Sequence, residues 1–335
     1  GEYVHQFEQS FAQTLGVKHC IGVGNGTDAL YITMKTLGIG PGDEVITVAN
    51  SWISTSETIS QTGATPIFID IEPNFYLIDP ALIKAKITTR TKAILPVHLF
   101  GQPVDLAPIK QLCETYNIHL IEDCAQAHLA EYKGQKVGTF GISGTFSFFP
   151  GKNLGAYGDA GCIVTQDDIF AQKARMFANH GALIKHQHQI EGVNSRLDGL
   201  QANILQKKLQ YLESWTQKRI ENAAYYTRQL ADIPEVIVPE IRDNVRHVFH
   251  LYVIRVKNRE ELQAYLKKEG ISTGVHYPTP LPLLPAYQYL KYKPTEIPVA
   301  ADYQTQILSL PMYPELSTDQ MDRVVACIKT FYGSK

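Results

Sequence analysis

FSFFPGKNLGAYGDAG, residues 146–161, decides the reading of this chain. An apolar strand runs into a Pro150-Gly151 turn, Lys152 follows at once, and a run of glycines closes the stretch. Phe146, Phe148, Phe149 and Leu154 flank the lysine, Ser147 lies upstream, and the next acid is Asp159. An ammonium drawn into apolar surroundings loses its proton more readily, and the free amine is a nucleophile toward carbonyl carbon. That is the requirement for a Schiff-base lysine. The other reading is a strand-end lysine whose stem packs on the phenylalanines while its charge stays in water.

Outward from that turn, strand and helix patterns alternate through the first two-thirds of the chain. Val4, Phe7, Phe11 and Leu15 recur at helical spacing, and Gly16 stops that helix. HCIGVG (19–24) reads as a buried strand leading to a helix over 27–37. Pro41-Gly42-Asp43 turns the chain into strand EVITV (44–48). A helix follows Trp52, then strand TPIFID (65–70). KAILPVHLF (92–100) is a further strand, which Pro96 assigns to an edge or a bulge. A helix near 105–116, then IHLIED (118–123), GTFSFF (144–149) and GCIVT (161–165), complete the series. The alternation predicts an α/β fold with a mostly parallel seven-stranded sheet flanked by helices.

Beyond residue 200 the texture changes. A helical stretch over about 200–230 leads to strand HVFHLYVIRV (247–256), a helix over 258–270, strand ISTGVHY (271–277) and a closing helix. Ser317 and Gln320 form a capping box for that last helix. These segments predict a large domain over 1–225 and a smaller α+β domain over 226–335. TPLPLLPAY (279–287) is too apolar for a linker and is read as an ordered loop.

The 335 residues are 44% hydrophobic and 19% charged, the balance of an ordinary globular chain. A net charge of -2 leaves no excess of Lys and Arg to displace counterions, which argues against nucleic acid as partner. No apolar run reaches the length of a membrane span, and no signal peptide opens the sequence. The five cysteines, Cys20, Cys113, Cys124, Cys162 and Cys327, are scattered and fit a reducing compartment, so a cytoplasmic location is expected. His186 and His188 lack an acidic or thiol companion, and no metal site is expected.

Other segments carry chemistry. Asp123 ends the apolar strand Ile118, Leu120, Ile121, and ligands of parallel sheets gather at carboxyl ends. A carboxylate buried there needs a cation or several donors; its bland alternative is a cap for the next turn. With an aldehyde-binding lysine it has a specific use, keeping a pyridine nitrogen protonated. GVGNGTDAL (22–30) is a strand-to-helix turn whose Thr27 and Asp28 N–H groups suit a phosphate. It is out of register with G-x-G-x-x-G, which weakens a dinucleotide reading. Ser147 can add a hydroxyl to the same phosphate or simply bond to backbone. Trp52, in ANSWISTSET (49–58), can cover an aromatic ring or fill the core.

Lysine, carboxylate, phosphate turn and aromatic plate together match the needs of pyridoxal 5'-phosphate. With PVHLFGQPVD (96–105), LIEDCAQAH (120–128), EGVNSRLDGLQANIL (191–205) and GVHYPTPLPLLPAY (274–287), they give the chain a resemblance, over nearly its whole length, to the DegT–StrS family of nucleotide-sugar aminotransferases. The resemblance implies fold type I of the pyridoxal-phosphate enzymes, with the cofactor held covalently by Lys152. It implies Asp123 at the ring nitrogen and Gln126 at the ring's phenolic oxygen. Gly26, Thr27, Asp28 and Ser147 are implied around the phosphate, and Trp52 on the ring. Asn194 resembles the residue that reaches the phosphate from a neighbouring subunit, which implies a homodimer. His276 and Tyr277 resemble a loop near the sugar nucleotide. Where the family reads Ala-His-Gly-Ala, this chain has Ala127-His128-Leu129-Ala130, so a backbone difference is expected there. The family also carries a segment ahead of the equivalent of Gly1.

The activity implied is transfer of the amino group of L-glutamate to a nucleotide-linked keto sugar. The GKNLGAYGDAG form resembles enzymes of dTDP-3-keto-6-deoxyhexoses, and a 4-keto substrate is the alternative. Related dehydratases carry His in place of the lysine. A regulatory protein on the same fold, or an NAD-dependent dehydrogenase built on GVGNG, are the remaining alternatives.

Overall fold

In the computed structural model, which describes residues 1–333, the chain opens with helix Glu2–Leu15. Gly16 ends it in the left-handed conformation, as its place in the sequence predicts. Phe7 and Phe11 of this helix meet Phe148 and Phe146 edge to face, with ring centroids 5.3 and 5.2 Å apart. The first helix is thereby packed under the strand that leads to Lys152. Buried Glu8 secures it, accepting from Gly22 N at 2.7 Å and from both terminal nitrogens of Arg175 at 3.0 Å.

Seven strands form the central sheet: β1 (His19–Val23), β2 (Glu44–Val48), β3 (Thr65–Ile69), β4 (Thr91–Leu95), β5 (His119–Asp123), β6 (Ser143–Ser147) and β7 (Gly161–Thr165). Their order is β1-β7-β6-β5-β4-β2-β3. β7 is antiparallel to both neighbours, and every other pairing is parallel. The carboxyl ends of β1, β5 and β6 therefore emerge on one edge of the sheet. That edge carries Asp123, Ser147 and the start of helix Gly26–Thr36.

β4 departs from the sequence reading. Of the edge or bulge expected, the edge is ruled out, since β4 pairs with both β2 and β5, while its register with β2 does slip by one residue between Thr91 and Ala93, away from Pro96. The strand ends at Leu95, one residue before Pro96, where a missing N–H costs the ladder nothing. The Pro96 carbonyl instead accepts from Asp123 N at 3.0 Å.

A second sheet lies toward the C-terminus, with strands β8 (Val236–Ile237), β9 (Tyr252–Val256) and β10 (Ile307–Leu310) in that order, all antiparallel. Helices Leu212–Leu230, Arg259–Lys268 and Thr318–Tyr332 pack with it around Tyr226, Tyr252, Leu308 and Ile328. The Ser317–Gln320 capping box forms as the sequence predicts. The helical stretch over 200–230 is two helices, Gly199–Leu209 and Leu212–Leu230, broken at Gln210-Tyr211. ISTGVHY forms no strand; a single bridge joins Gly274 to Ser309. Residues 247–251 also leave the expected strand, because their backbone is engaged elsewhere: Val248 N donates to Gly101 O at 3.0 Å and Leu251 N to Phe100 O at 3.3 Å.

Arg219, buried on helix Leu212–Leu230, fixes that segment. It donates to the carbonyls of Phe249, His250 and Met312 at 3.2, 3.3 and 3.0 Å. Asp70, just past β3, takes the N–H groups of Val299 and Ala300 at 2.8 and 2.9 Å, tying the C-terminal part to the central sheet. Among the described residues no helix is long and apolar enough to cross a membrane.

Candidate active site

Lys152 stands on a turn fixed by its own backbone: Lys152 N donates to Phe149 O, and Ala156 N returns to Phe148 O, both at 2.8 Å. Gly155 makes the return possible, since a Cβ there would lie 2.3 Å from Pro150 O. The half-buried amine is pushed down to about 8 by desolvation, with the Asp123 charge acting in the opposite direction. An ordinary lysine at pH 8 is free amine in under about one molecule in a hundred, whereas here about half are. Aldehyde labelling of Lys152 is therefore expected to rise with pH through a midpoint near 8. Asp123→Asn, which removes the charge that favours the ammonium, is expected to move that midpoint lower; a midpoint above 10 in the parent protein would contradict this electrostatic reading.

Asp123 is buried, and each carboxylate oxygen has one donor. Thr55 Oγ1 reaches Oδ2 at 2.9 Å and Ala125 N reaches Oδ1 at 3.1 Å. Ser51 Oγ, 2.8 Å from Thr55 Oγ1, supports the first of these. Burial raises the carboxyl, and the two hydrogen bonds with the Lys152 charge only partly offset it. Among the described residues Asp123 makes no ion pair. A buried acid so placed suits a cation arriving with a ligand.

At the start of helix Gly26–Thr36, the N–H groups of Gly26 and Thr27 make no hydrogen bond among the described residues. Gly26 lies so close to β6 that a Cβ would fall 2.6 Å from Ser147 Cβ. Thr27 Oγ1 is 2.7 Å from Ser54 Oγ. Asp28 is already engaged: its N–H goes to Asn25 Oδ1 at 2.8 Å, and its carboxylate accepts from Ser195 Oγ at 2.6 Å. Gly26, Thr27 and Ser147 thus lie together with two free N–H groups at a helix start, an arrangement suited to an anion, while Asp28 is engaged behind them.

Gln126 lies on the opposite side. Its Oε1 accepts from Phe100 N at 2.6 Å, which fixes the amide so that Nε2 donates to Tyr277 OH at 3.1 Å. The Tyr277 ring is 5.7 Å from that of Trp52, and Trp52 is 57% exposed, as a plate awaiting a ring would be. His276 Nδ1 is 2.8 Å from Ser309 Oγ. Leu129 adopts φ 65, in the left-handed region that glycine favours. Asn194 is exposed and bridges to Asn179; it joins none of these groups within its own chain.

A partly neutral amine, an unpaired buried acid, a cradle with two unspent N–H groups and an open indole fit pyridoxal 5'-phosphate. Thr55, Ser51 and Asn153 belong to the same site and were not singled out from sequence, where a Ser/Thr-rich helix and a loop Asn carry no distinctive spacing.

Behind Asp123 lies a second polar node. Val104 N donates to His98 Nδ1 at 3.1 Å, so His98 Nε2 carries the hydrogen and donates to Glu122 Oε2 at 3.1 Å. Glu122 also accepts from Gly138, Phe140 and Gly141 N at 2.8, 2.7 and 3.1 Å. Cys124 is close enough to complete a metal-like trio, but the donors of His98 and Glu122 are already spent within the protein. Glu122→Ala would leave four donors unpaired, those of His98 and Gly138 buried and those of Phe140 and Gly141 half-buried, and a loss of about 3–5 kcal/mol in urea unfolding is expected. A loss under about 1 kcal/mol would mean that the strand end tolerates the gap.

The profile of the DegT/DnrJ/EryC1/StrS aminotransferase family matches residues 1–329. A "Pleiotropic regulatory protein" of Geobacillus stearothermophilus is 47% identical over 334 residues, covering 99% of this chain and 90% of its own. The dTDP-3-amino-3,6-dideoxy-alpha-D-galactopyranose transaminase of Aneurinibacillus thermoaerophilus is 44% identical, with 99% and 90% covered. The crystal structure of DesV from S. venezuelae, in complex with a ketimine intermediate, superposes with a TM-score of 0.97 at 39% identity, covering 100% of this chain and 90% of that one.

Proposed function

This chain belongs to the DegT/DnrJ/EryC1/StrS aminotransferase family, and on that footing we propose that it carries the amino group of L-glutamate to a dTDP-linked 3-keto-6-deoxyhexose. It is a pyridoxal-phosphate enzyme acting on a nucleotide-linked sugar. The observation that carries the site assignment is the pairing of the depressed Lys152 amine with the unpaired buried acid Asp123.

Bound pyridoxal phosphate supplies an aldehyde and an electron-withdrawing ring that stabilises negative charge at an attached carbon. Lys152 would hold it covalently. With its amine free, Lys152 would take the proton from the donor's α-carbon as base and, as acid, give that same proton up again within the site. Asp123 keeps a proton on the ring nitrogen, and Thr55 and Ala125 hold its carboxylate in place. Gly26, Thr27 and Ser147 bind the phosphate. Gln126 presents its NH₂ to the phenolic oxygen, and Trp52 covers the ring. His276 and Tyr277 contact the sugar nucleotide.

The working form is a homodimer in which Asn194 completes the partner's phosphate site. Exposed apolar side chains around the lysine turn, Phe149 and Tyr157, and Leu200 beyond it, support a face that a second copy covers. The enzyme works in the cytoplasm.

Mass spectrometry of products after incubation with cofactor, L-glutamate and a panel of keto-sugar nucleotides tests the assignment. A 3-amino sugar with matching 2-oxoglutarate is expected. No aminated sugar from any 3-keto nucleotide sugar would sink the 3-keto assignment, and amination of a 4-keto sugar alone would replace it. Ammonia release without 2-oxoglutarate would indicate a dehydratase. A regulatory role, as named for the Geobacillus relative, would gain support if Lys152→Ala kept its full biological effect.

A further inference from the structure

We propose that Asn153 is a positioning residue of this site: its side-chain amide ties the turn bearing Lys152 to residues 248–250 and fixes His250 as an imidazole that can only accept at its open nitrogen. The proposal rests on Lys152 being the reactive amine. Asn153 is buried and directly follows it. Its Nδ2 donates to Val248 O at 3.1 Å, which leaves Oδ1 as an acceptor facing His250 Nδ1 at 3.2 Å. Because an amide oxygen cannot donate, His250 Nδ1 must carry a hydrogen, and in the neutral ring Nε2 then keeps its lone pair.

The segment so held reaches both ends of the site. Through Asn153 it meets the lysine turn. Through Val248 N and Leu251 N it meets the Phe100-Gly101 turn, whose Phe100 N–H orients Gln126. A Cβ at Gly101 would fall 3.1 Å from His250 N and 3.0 Å from Gln126 O, so the two turns are in close contact. Neither His250 Nε2 nor Lys152 Nζ makes a hydrogen bond among the described residues, and both residues are half-buried.

The charges around the pair agree with a neutral imidazole. His250 is pushed well down by burial first, then by Lys152, Arg219, His128 and His276. Burial and Lys152 also depress His128 and His276. Asp123 is the acid facing Lys152 from the end of β5, and its carboxyl also bears on Tyr277. An imidazole free to ionise here would put a second cation beside the amine and change its proton affinity. The amide of Asn153 denies the imidazolium the anionic partner it would need.

The test uses the full-length protein with ¹⁵N-labelled histidine, comparing the parent, Asn153→Asp and Asn153→Ala, with His250→Gln to assign the signal. In the parent, His250 is expected to show a protonated Nδ1 and a bare Nε2 between about pH 5 and 8. Asn153→Asp places a carboxylate against Nδ1. The imidazole is then expected to take a second proton within that range. The labelling midpoint of Lys152 is expected to rise by about one pH unit, a tenfold loss of free amine at fixed pH. Asn153→Ala is expected to leave a mixture of tautomers. An Nε2–H tautomer in the parent overturns the proposal even if no variant folds. So does an Asn153→Ala protein with unchanged tautomer and midpoint. Label on a different lysine would instead overturn the assignment of Lys152, with the tautomer result still standing.

Discussion

Lys152→Ala is expected to reduce amino transfer by at least about a thousandfold, because covalent anchoring and proton movement are lost together. The protein still folds, since the turn is built from the backbone bonds of Lys152, Phe149, Ala156 and Phe148 and from Gly155, not from the amine. Borohydride reduction of the parent loaded with pyridoxal phosphate should fix the cofactor on Lys152, with loss of the yellow colour. The variant should acquire no such label. A label on another lysine, or a variant with more than about a tenth of parental activity, would remove Lys152 from its role.

Asp123→Asn is expected to lower kcat by about a hundredfold to ten-thousandfold while cofactor remains attached. The amide keeps the shape, with its single oxygen accepting from Ala125 N and its NH₂ turned to Thr55 Oγ1, which can accept instead, but it offers no charge to hold a proton on the ring nitrogen. A drop in kcat with Lys152 still labelled by borohydride would separate this electrostatic role from a folding defect. Equal kcat in the two proteins would make Asp123 a cap and nothing more. Thr55→Val removes one of the two donors and should cost far less, about tenfold, as one hydrogen bond to a charged acceptor would.

The large sheet was legible because each of its strands is a short apolar run bounded by turn residues, and the alternation with helices admits few arrangements. β4 is less legible, because Pro96 reads as part of the apolar run KAILPVHLF although the strand ends one residue before it. The C-terminal part was less legible. HVFHLYVIRV looks like one strand, yet Val248 and Leu251 spend their N–H groups on the Phe100-Gly101 turn, a contact across roughly 150 residues of sequence. No local pattern reports such a partner. Within the site, Lys152 and Asp123 stood out because each is a charged residue where an apolar one is usual. Asn153 and Thr55 are ordinary polar residues whose work depends on what faces them. Chain position places Asp28 beside a phosphate, but the Asn25 cap and Ser195 already occupy its polar groups.

Arg219 has a wider effect than stapling three carbonyls. Burial lowers its guanidinium to about 10, so it stays cationic across neutral pH, and its field is felt by His128 and His250. The interior near the lysine turn therefore keeps a standing attraction for anions that acidification or mild alkalinity does not switch off. Phosphorylated ligands are expected to arrive down that gradient. Raising ionic strength shortens the reach of the field to under about 8 Å, so it should slow capture, seen in kcat/KM, and leave the turnover of already bound molecules unchanged.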